Sequence, residues 1–154
     1  MSELFDSGAS PEDPLVSFDF MLDIVGMGEG YFTEVSGIES ETEIVEMKHN
    51  TSDGKVVIRK VPGEEKFADI TLKKGITSSL DVWKWRQLVV EGKIDQARQN
   101  GTITMFNQQH EPVARWNFTN GWPSKVSGPG LKSDDNNFGI EEITICHEGL
   151  WRDT

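Results

Sequence analysis

Apolar and polar residues alternate along much of the chain, and this pattern predicts β-strands. In the first clear segment, Val16, Phe18, Phe20, Leu22 and Ile24 alternate with mostly polar residues, which is the two-residue period of a half-buried strand. Further strands are predicted at 31–35, 66–74, 102–106, 113–119, 122–126 and 140–147. About seven to nine strands with one helix predict a mainly β fold, as a barrel or a sandwich.

Residues 41–61 are predicted to form a long, protruding β-hairpin around the turn signal Asp53-Gly54, because glycine adopts a positive φ without steric cost. Pro62-Gly63 is predicted to end it. Neither strand has a clean apolar face, and an isolated two-stranded hairpin is only marginally stable in water. We therefore expect the hairpin either to lie on its own domain or to be completed by another chain.

One helix is predicted at 79–91, with Ser78 as its cap and Asp81 completing a capping box. At about 100° per residue, its apolar residues form two stripes on nearly opposite sides. The first stripe consists of Val82, Trp85 and Val89, and the second of Leu80, Trp83 and Val90. Two stripes predict two packing partners, of which the second is either a long loop of the same chain or a neighbouring chain.

The length of 154 residues fits a single domain, and residues 1–14 have the polar, acidic character of a loose N-terminal arm. The net charge of −11 argues against general nucleic-acid binding. This charge is uneven, because residues 1–47 contain no Lys or Arg whereas residues 48–100 carry a net positive charge. Such complementary regions either direct docking between copies or pair within one fold.

Targeting signals are not evident in the sequence. No apolar run approaches the ~20 residues that are needed to span a bilayer. The N-terminus lacks the basic start and apolar core of a signal peptide. Synthesis in the cytoplasm without a membrane-spanning segment is therefore expected.

No catalytic or metal-binding constellation stands out in the sequence. His49, His110 and His147 are far apart, and a metal site would need them to converge with carboxylates. Cys146, the single cysteine, excludes an internal disulfide and has no neighbouring base that would activate it as a nucleophile. We therefore expect no enzyme activity, no cofactor and no metal ion, which also disfavours a small hydrolase.

Five tryptophans are the most unusual feature of the composition. Tryptophan serves as core, as an anchor of protein interfaces or as part of an aromatic platform for sugars. Trp116 lies within a predicted strand and is expected in the core, whereas Trp151 lies near the C-terminus and is expected at an interface. A small Trp-rich β-sandwich that binds carbohydrate is therefore an alternative function.

Five segments, in order, resemble the tail-tube proteins of contractile phage tails and contractile injection systems, which are similar in fold to the haemolysin-coregulated tube protein of type VI secretion. The segments are YFTEVSGIE (31–39), VIRKVPGEEKFADITLKKGIT (57–77), SLDVWKWRQLVVEG (79–92), PVARWNFTNGWPSKVSGPGL (112–131) and IEEITICHEGL (140–150). The last two are the most specific, with ARWNF followed by WP and a terminal strand that ends in HEGL.

The resemblance implies a single tail-tube domain over 1–154, in which a compact β-barrel or sandwich is flanked by one helix. It implies hexameric rings that stack into a rigid hollow tube, which a contracting sheath drives through a target envelope. The implied partners are further copies of the chain, the sheath, baseplate or spike proteins and a terminal cap protein, with cargo in the lumen. The protein would be made in the bacterial cytoplasm and end in a phage tail or an extracellular injection particle.

We expect residues 47–60 to form the contact between stacked rings, because the hairpin is poorly buried and its charges are separated. The predicted inter-subunit residues are Met47, Lys48, His49, Asn50, Thr51, Ser52, Asp53, Lys55, Arg59 and Lys60, together with Trp151.

Overall fold

A computed structural model describes residues 19–75, 80–128 and 140–153 of the chain. The predicted N-terminal arm (1–14) and the predicted cap Ser78 lie outside these residues. The strands are β1 (Phe20–Ile24), β2 (Gly28–Phe32), β3 (Glu34–Ser36), β4 (Ser40–Asn50), β5 (Val56–Phe67), β6 (Ile70–Gly75), β7 (Gln99–Phe106), β8 (Pro112–Ser127), β9 (Ile140–Cys146) and β10 (Gly149–Arg152), and the helices are α1 (Val82–Val90) and α2 (Ile94–Ala97). The predicted mainly β class is confirmed, and the sequence analysis missed the short helix α2.

Two antiparallel layers form the body of the protein. Layer A contains β2, β1, β7, the first half of β8 and β10, and layer B contains β3, β6, β9 and the second half of β8. The strands follow the order β2-β1-β7-β8-β9-β6-β3, with β10 paired to β8. Because this sheet does not close on itself, the body is a sandwich rather than a closed barrel.

Strand β8 belongs to both layers. Its first half pairs with β7 and its second half pairs with β9. The sequence analysis predicted two strands, at 113–119 and 122–126, because Asn120-Gly121 is a turn signal. In the structure Asn120 adopts a φ of 50°, and the ladder with β7 shifts register there. The turn signal therefore produces a bulge within one long strand, which bends the strand from layer A into layer B.

The core lies between the two layers and is closed by α1. Each fully buried Leu, Ile, Val or Phe side chain in this core contributes about 1.5–3 kcal/mol to stability by leaving water. The buried residues are Leu22, Ile24, Phe32, Ile103 and Phe118 from layer A, Ile70, Leu72, Ile143 and Ile145 from layer B, and Leu80, Val82, Trp85 and Ala97 from α1, its approach and α2.

Helix α1 begins at Val82, three residues later than predicted. The backbone N–H of Lys84 donates to Oδ1 of Asp81 at 3.0 Å, so Asp81 is the cap rather than the inner residue of a capping box. On the buried side, Nε1 of Trp85 donates to the carbonyl oxygen of Ala97 at 2.6 Å, which joins α1 to α2. The buried stripe of α1 therefore packs as the periodicity predicts.

The second apolar stripe of α1 divides into a buried and an exposed part. Leu80 precedes the helix and is buried, with its N–H donating to the carbonyl oxygen of Glu29 at 3.0 Å. Trp83 is 51% exposed and Val90 is 63% exposed. The described part of the chain therefore leaves these two large side chains open to solvent.

Candidate functional site

The β4–β5 hairpin pairs with itself and forms a separate two-stranded sheet. Its ladder runs from the pair Ser40 and Phe67 at the base to the pair Asn50 and Val56 near the tip. Eleven residues of β4 give a length of about 35 Å at the usual rise per residue. Every residue of β4 is exposed, so the hairpin projects from the body rather than lying on it.

The hairpin continues past Pro62-Gly63, where the sequence analysis expected it to end. Pro62 lies opposite Ile44, next to a register shift between Thr42 and Ile44. A bulge interrupts the ladder locally, so a proline without an N–H is tolerated there. The strand β5 therefore extends to Phe67 and returns the chain to the body.

The base of the hairpin is fixed to the core by aromatic packing. The ring of His147 lies 5.7 Å from the ring of Phe67 and 6.1 Å from the ring of Phe118, measured between centroids. Nε2 of His147 lies 3.0 Å from the carbonyl oxygen of Ala68. The hairpin therefore projects from a fixed base, next to the strand end that carries His147.

Beyond the bulge, the hairpin has two faces of different composition, because successive side chains of a strand point to opposite sides. We call them the Met47 face and the Lys48 face. The Met47 face consists of Val45, Met47, His49, Val57, Arg59 and Val61, and the Lys48 face consists of Ile44, Glu46, Lys48, Asn50, Val56, Ile58, Lys60 and Pro62.

Both faces expose large apolar side chains. The exposed fractions lie between 41% and 65%. The residues are Ile44, Val45, Met47, Val56, Val57 and Ile58. Apolar surface that is contiguous and bordered by polar residues marks an interaction site in soluble proteins. Two-stranded hairpins are marginally stable on their own in water, and this one buries none of these apolar side chains within the described part of the chain.

The predicted site residues are brought together at the hairpin tip, with one exception. Met47–Asn50 end β4, and the N–H of Thr51 donates to the carbonyl oxygen of Lys55 at 2.8 Å to close the turn. Arg59 and Lys60 follow on β5. Trp151 lies elsewhere, on β10 opposite Asn117 of β8, and is 49% exposed.

Three further exposed regions were missed by the sequence analysis. Val25 in the β1–β2 turn is 61% exposed and Val113 at the start of β8 is 44% exposed. A groove of about 370 Å³ separates the β1–β2 turn from α1. Its lining residues are Gly26, Met27, Asp81, Lys84, Trp85 and Leu88. No local pattern reveals it, because it is assembled from segments more than fifty residues apart.

The side chains that could carry chemistry are dispersed. Burial, and then the nearby charge of Asp69, raises the pKa of the Cys146 thiol, so its thiolate is scarcer than that of a free cysteine at neutral pH. In the part of the chain that the structure describes, no three His, Cys, Asp or Glu residues cluster in a way that could hold a metal ion. Within the same residues, no helix has the length and apolar character needed to cross a membrane.

The tryptophans do not support the carbohydrate-binding alternative. Trp85 is buried, and Trp116 and Trp122 pack against the core. The two exposed ones, Trp83 and Trp151, lie on different elements. Three of the five tryptophans therefore contribute to the fold rather than to a sugar-binding platform.

The architecture can now be compared with known proteins. The model of the T4-like virus tail tube protein gp19 family matches residues 16–151. The chain belongs to this tail tube family. It is a structural tube subunit, and the resemblance seen in the five sequence segments is confirmed. No curated protein sequence matches the chain significantly.

Solved structures share the fold of this tail tube protein. A chain of the sheath–tube complex of the PVC extracellular contractile injection system, in the extended state, has a TM-score of 0.64 and 22% identity, with 94% of this chain and 98% of that chain covered. A chain of the cap of the anti-feeding prophage has a TM-score of 0.60 and 20% identity, with 90% of each covered. Hcp1 from Flavobacterium johnsoniae has a TM-score of 0.54 and 14% identity, with 88% and 94% covered.

Proposed function

We propose that this tail tube protein forms hexameric rings that stack into the hollow inner tube of a contractile tail or injection particle. The observation that carries the proposal is the hairpin, which exposes apolar side chains on both faces and stands clear of the body. The exposed apolar side chains of the hairpin do not stabilise the monomer. When a neighbouring copy covers them, the interface is stabilised by about 25 cal/mol for each Å² of apolar surface buried.

The axial contact between rings is assigned to residues 47–60, with Trp151 as a separate contact on the body. A patch that meets a different patch on the next copy gives a heterologous interface, which closes into a ring or continues as an open stack. The hairpin suits the open, axial direction because it is long and projects from a fixed base. Its basic residues Lys55, Arg59 and Lys60 then approach an acidic surface of the next copy.

The lateral contact within a ring is assigned to the strand edges of the body. β10 pairs with β8 on one side, and β2 and β3 stand at the two ends of the strand order. Unpaired strand edges favour pairing with another chain, and proteins cover them when they do not use them. Main-chain hydrogen bonds between copies would fix their register and hide these edges.

The proposed partners follow from this role. They are a contractile sheath around the tube, baseplate or spike proteins and a cap protein at its two ends, and cargo in the lumen. Similar folds occur in a sheath–tube complex, a cap and a baseplate of contractile particles, and this supports the proposal. The role is structural rather than enzymatic, and the assembled tube is placed in a phage tail or an extracellular particle.

Reversing the charge of the hairpin tests the axial contact. Lys55→Glu, Arg59→Glu and Lys60→Glu, made together, are expected to abolish tubes while the protomers stay folded, because like charges then meet across the contact. Negative-stain electron microscopy measures tube formation, and circular dichroism reports folding. Folded triple mutants that still form normal tubes would overturn the assignment.

A charge-matched control separates the hairpin from a general effect of charge. Lys73→Glu, Lys93→Glu and Arg98→Glu, made together, change the net charge equally at exposed positions outside the hairpin. This variant is expected to keep forming tubes. If the unmodified protein forms neither rings nor tubes at any concentration tested, the proposed function itself fails.

A further inference from the structure

A heterologous contact needs a second patch on the same chain that receives the hairpin. We propose that the groove between the β1–β2 turn and α1 is this receptor, and that it binds the Met47 face of the hairpin of a neighbouring copy. This proposal rests on the proposed stacking of rings, and it identifies the surface of the neighbouring copy that each hairpin would contact.

The groove is concave, apolar at its floor and already formed in the single chain. Trp85 is 1% exposed and forms the floor with the half-buried side chains of Met27 and Leu88. Asp81 and Lys84 lie at the rim. The volume of about 370 Å³ lies in the range of small binding pockets and has room for a few aliphatic side chains.

Backbone hydrogen bonds hold both walls of the groove in place. In the β1–β2 turn, the N–H of Met27 donates to the carbonyl oxygen of Ile24 at 3.0 Å, and the N–H of Val25 donates to that of Asn100 at 3.1 Å. On the other side, the N–H of Leu80, just before α1, donates to the carbonyl oxygen of Glu29 at 3.0 Å. A site with fixed walls loses little conformational entropy when it binds.

The Met47 face is the side of the hairpin that fits an apolar groove. Val45, Met47 and Val57 are exposed there, and methionine fills irregular spaces because its side chain is unbranched and flexible. The Lys48 face also exposes apolar side chains, those of Ile44, Val56 and Ile58. It carries three charged residues, Glu46, Lys48 and Lys60, whereas the Met47 face carries Arg59 alone besides His49, so the Lys48 face would cost more to bury. Shape and polarity therefore favour the Met47 face.

Charge complementarity also favours this pairing. The Met47 face carries Arg59 and His49 and no acidic residue beyond the bulge. Asp81 lies at the rim of the groove. Asp23 and Glu29 face each other on the β1–β2 ladder that leads into the turn, next to the groove rather than in its lining. Within the lining, Asp81 is balanced by Lys84, so the acidic β1–β2 ladder beside the groove is the part that would attract the basic hairpin and help to orient it.

Cysteine cross-linking in assembled tubes tests the proposal. Met47→Cys and Lys84→Cys are combined in a Cys146→Ser background and treated with a short bismaleimide. Because each copy then carries one hairpin thiol and one groove thiol, tubes are expected to yield a ladder of dimers, trimers and longer chains on a denaturing gel. Thiols held together react at high effective concentration, so we expect roughly tenfold more product than in the control.

The matched control is Met47→Cys with Lys73→Cys, in the same background, which moves the second thiol to an exposed lysine position on layer B. If the variant with cysteines at 47 and 84 forms tubes but gives no cross-linked ladder, the receptor assignment is wrong. The same holds if the control variant gives an equal ladder. Neither result contradicts the proposed tube function. Loss of tubes in the groove pair alone, with the control pair assembling normally, also overturns the assignment, because removal of the basic group at the rim should not weaken the binding of a basic hairpin face. The absence of tubes from unmodified protein overturns the proposed function instead.

Discussion

Glycine determines the packing of Phe118, a buried aromatic side chain of layer A. Gly101 on β7 and Gly121 on β8 both lie against the ring of Phe118, and a Cβ atom on either residue would collide with it. Phe118 is 1% exposed and also contacts His147 at the hairpin base. The two glycines are therefore needed for their small size, because a larger residue would leave no room for the Phe118 ring. That ring packs in the core and contacts His147 at the base of the hairpin.

Gly101→Ala is expected to destabilise the protein by about 1–3 kcal/mol, because the added methyl group would collide with Phe118 and Ile24 in a packed core. Urea unfolding followed by tryptophan fluorescence measures the change. Gly128→Ala is the matched control, since its added Cβ would meet Trp83 at an ordinary contact distance of 3.8 Å. Equal stabilities of the two variants would contradict this account of the packing.

The hairpin and α1 show which elements local sequence can predict. The turn signal Asp53-Gly54 predicted the hairpin, and the periodicity of Val82 and Trp85 predicted the buried side of the helix. The end of the hairpin at Pro62 was predicted too early, because the bulge that accommodates a proline depends on the partner strand. Local signals therefore predict that an element exists more reliably than where it ends.

Removing the hairpin is expected to leave the body folded. If residues 43–64 are replaced by Asn-Gly, Thr42 and Glu65, which face each other in the ladder, are joined by a short turn. The midpoint of thermal unfolding should change by no more than about 3 °C, or roughly 1 kcal/mol for a chain of this size, because the removed residues bury no core surface.

Differential scanning calorimetry measures this midpoint, and electron microscopy should show that tubes are lost. A much lower midpoint would mean that the hairpin stabilises the monomer, and normal tubes would mean that it has no part in assembly. The same calorimetry on Gly101→Ala serves as the reference for a real loss of core stability.

For the molecule as a whole, the sequence predicted the class and the family but not the groove between the β1–β2 turn and α1. Alternation and turn signals are local, so strands could be counted approximately from the sequence. The groove joins Met27 to Leu88, and its existence depends on how α1 packs beside β8 and the β1–β2 turn. The hairpin could be predicted because its turn signal and its strands lie in one continuous segment, and the assignment of its residues to contacts between subunits stays a prediction.

Hydrogen exchange is expected to separate the surfaces used in assembly from those that stay in water. In free protomers the amides of β4 and β5 should exchange faster than those of β6 and β9, because the hairpin opens without disturbing the core. In tubes the hairpin amides should slow markedly, together with those of the edge strand β10. Mass spectrometry measures both states, and unchanged hairpin exchange on assembly would contradict a contact there.

The passage of β8 through both layers has a mechanical consequence. A force applied to one layer reaches the other through the covalent main chain of β8 and its hydrogen bonds to β7 and β9. Side-chain packing between the layers is therefore not the only mechanical connection. Shear between the layers must therefore stretch or unzip β8 against β7 and β9. A subunit built this way is stiff in its body and compliant in its hairpin, so a thrust along a stack would be carried by the bodies while the hairpins absorb misalignment.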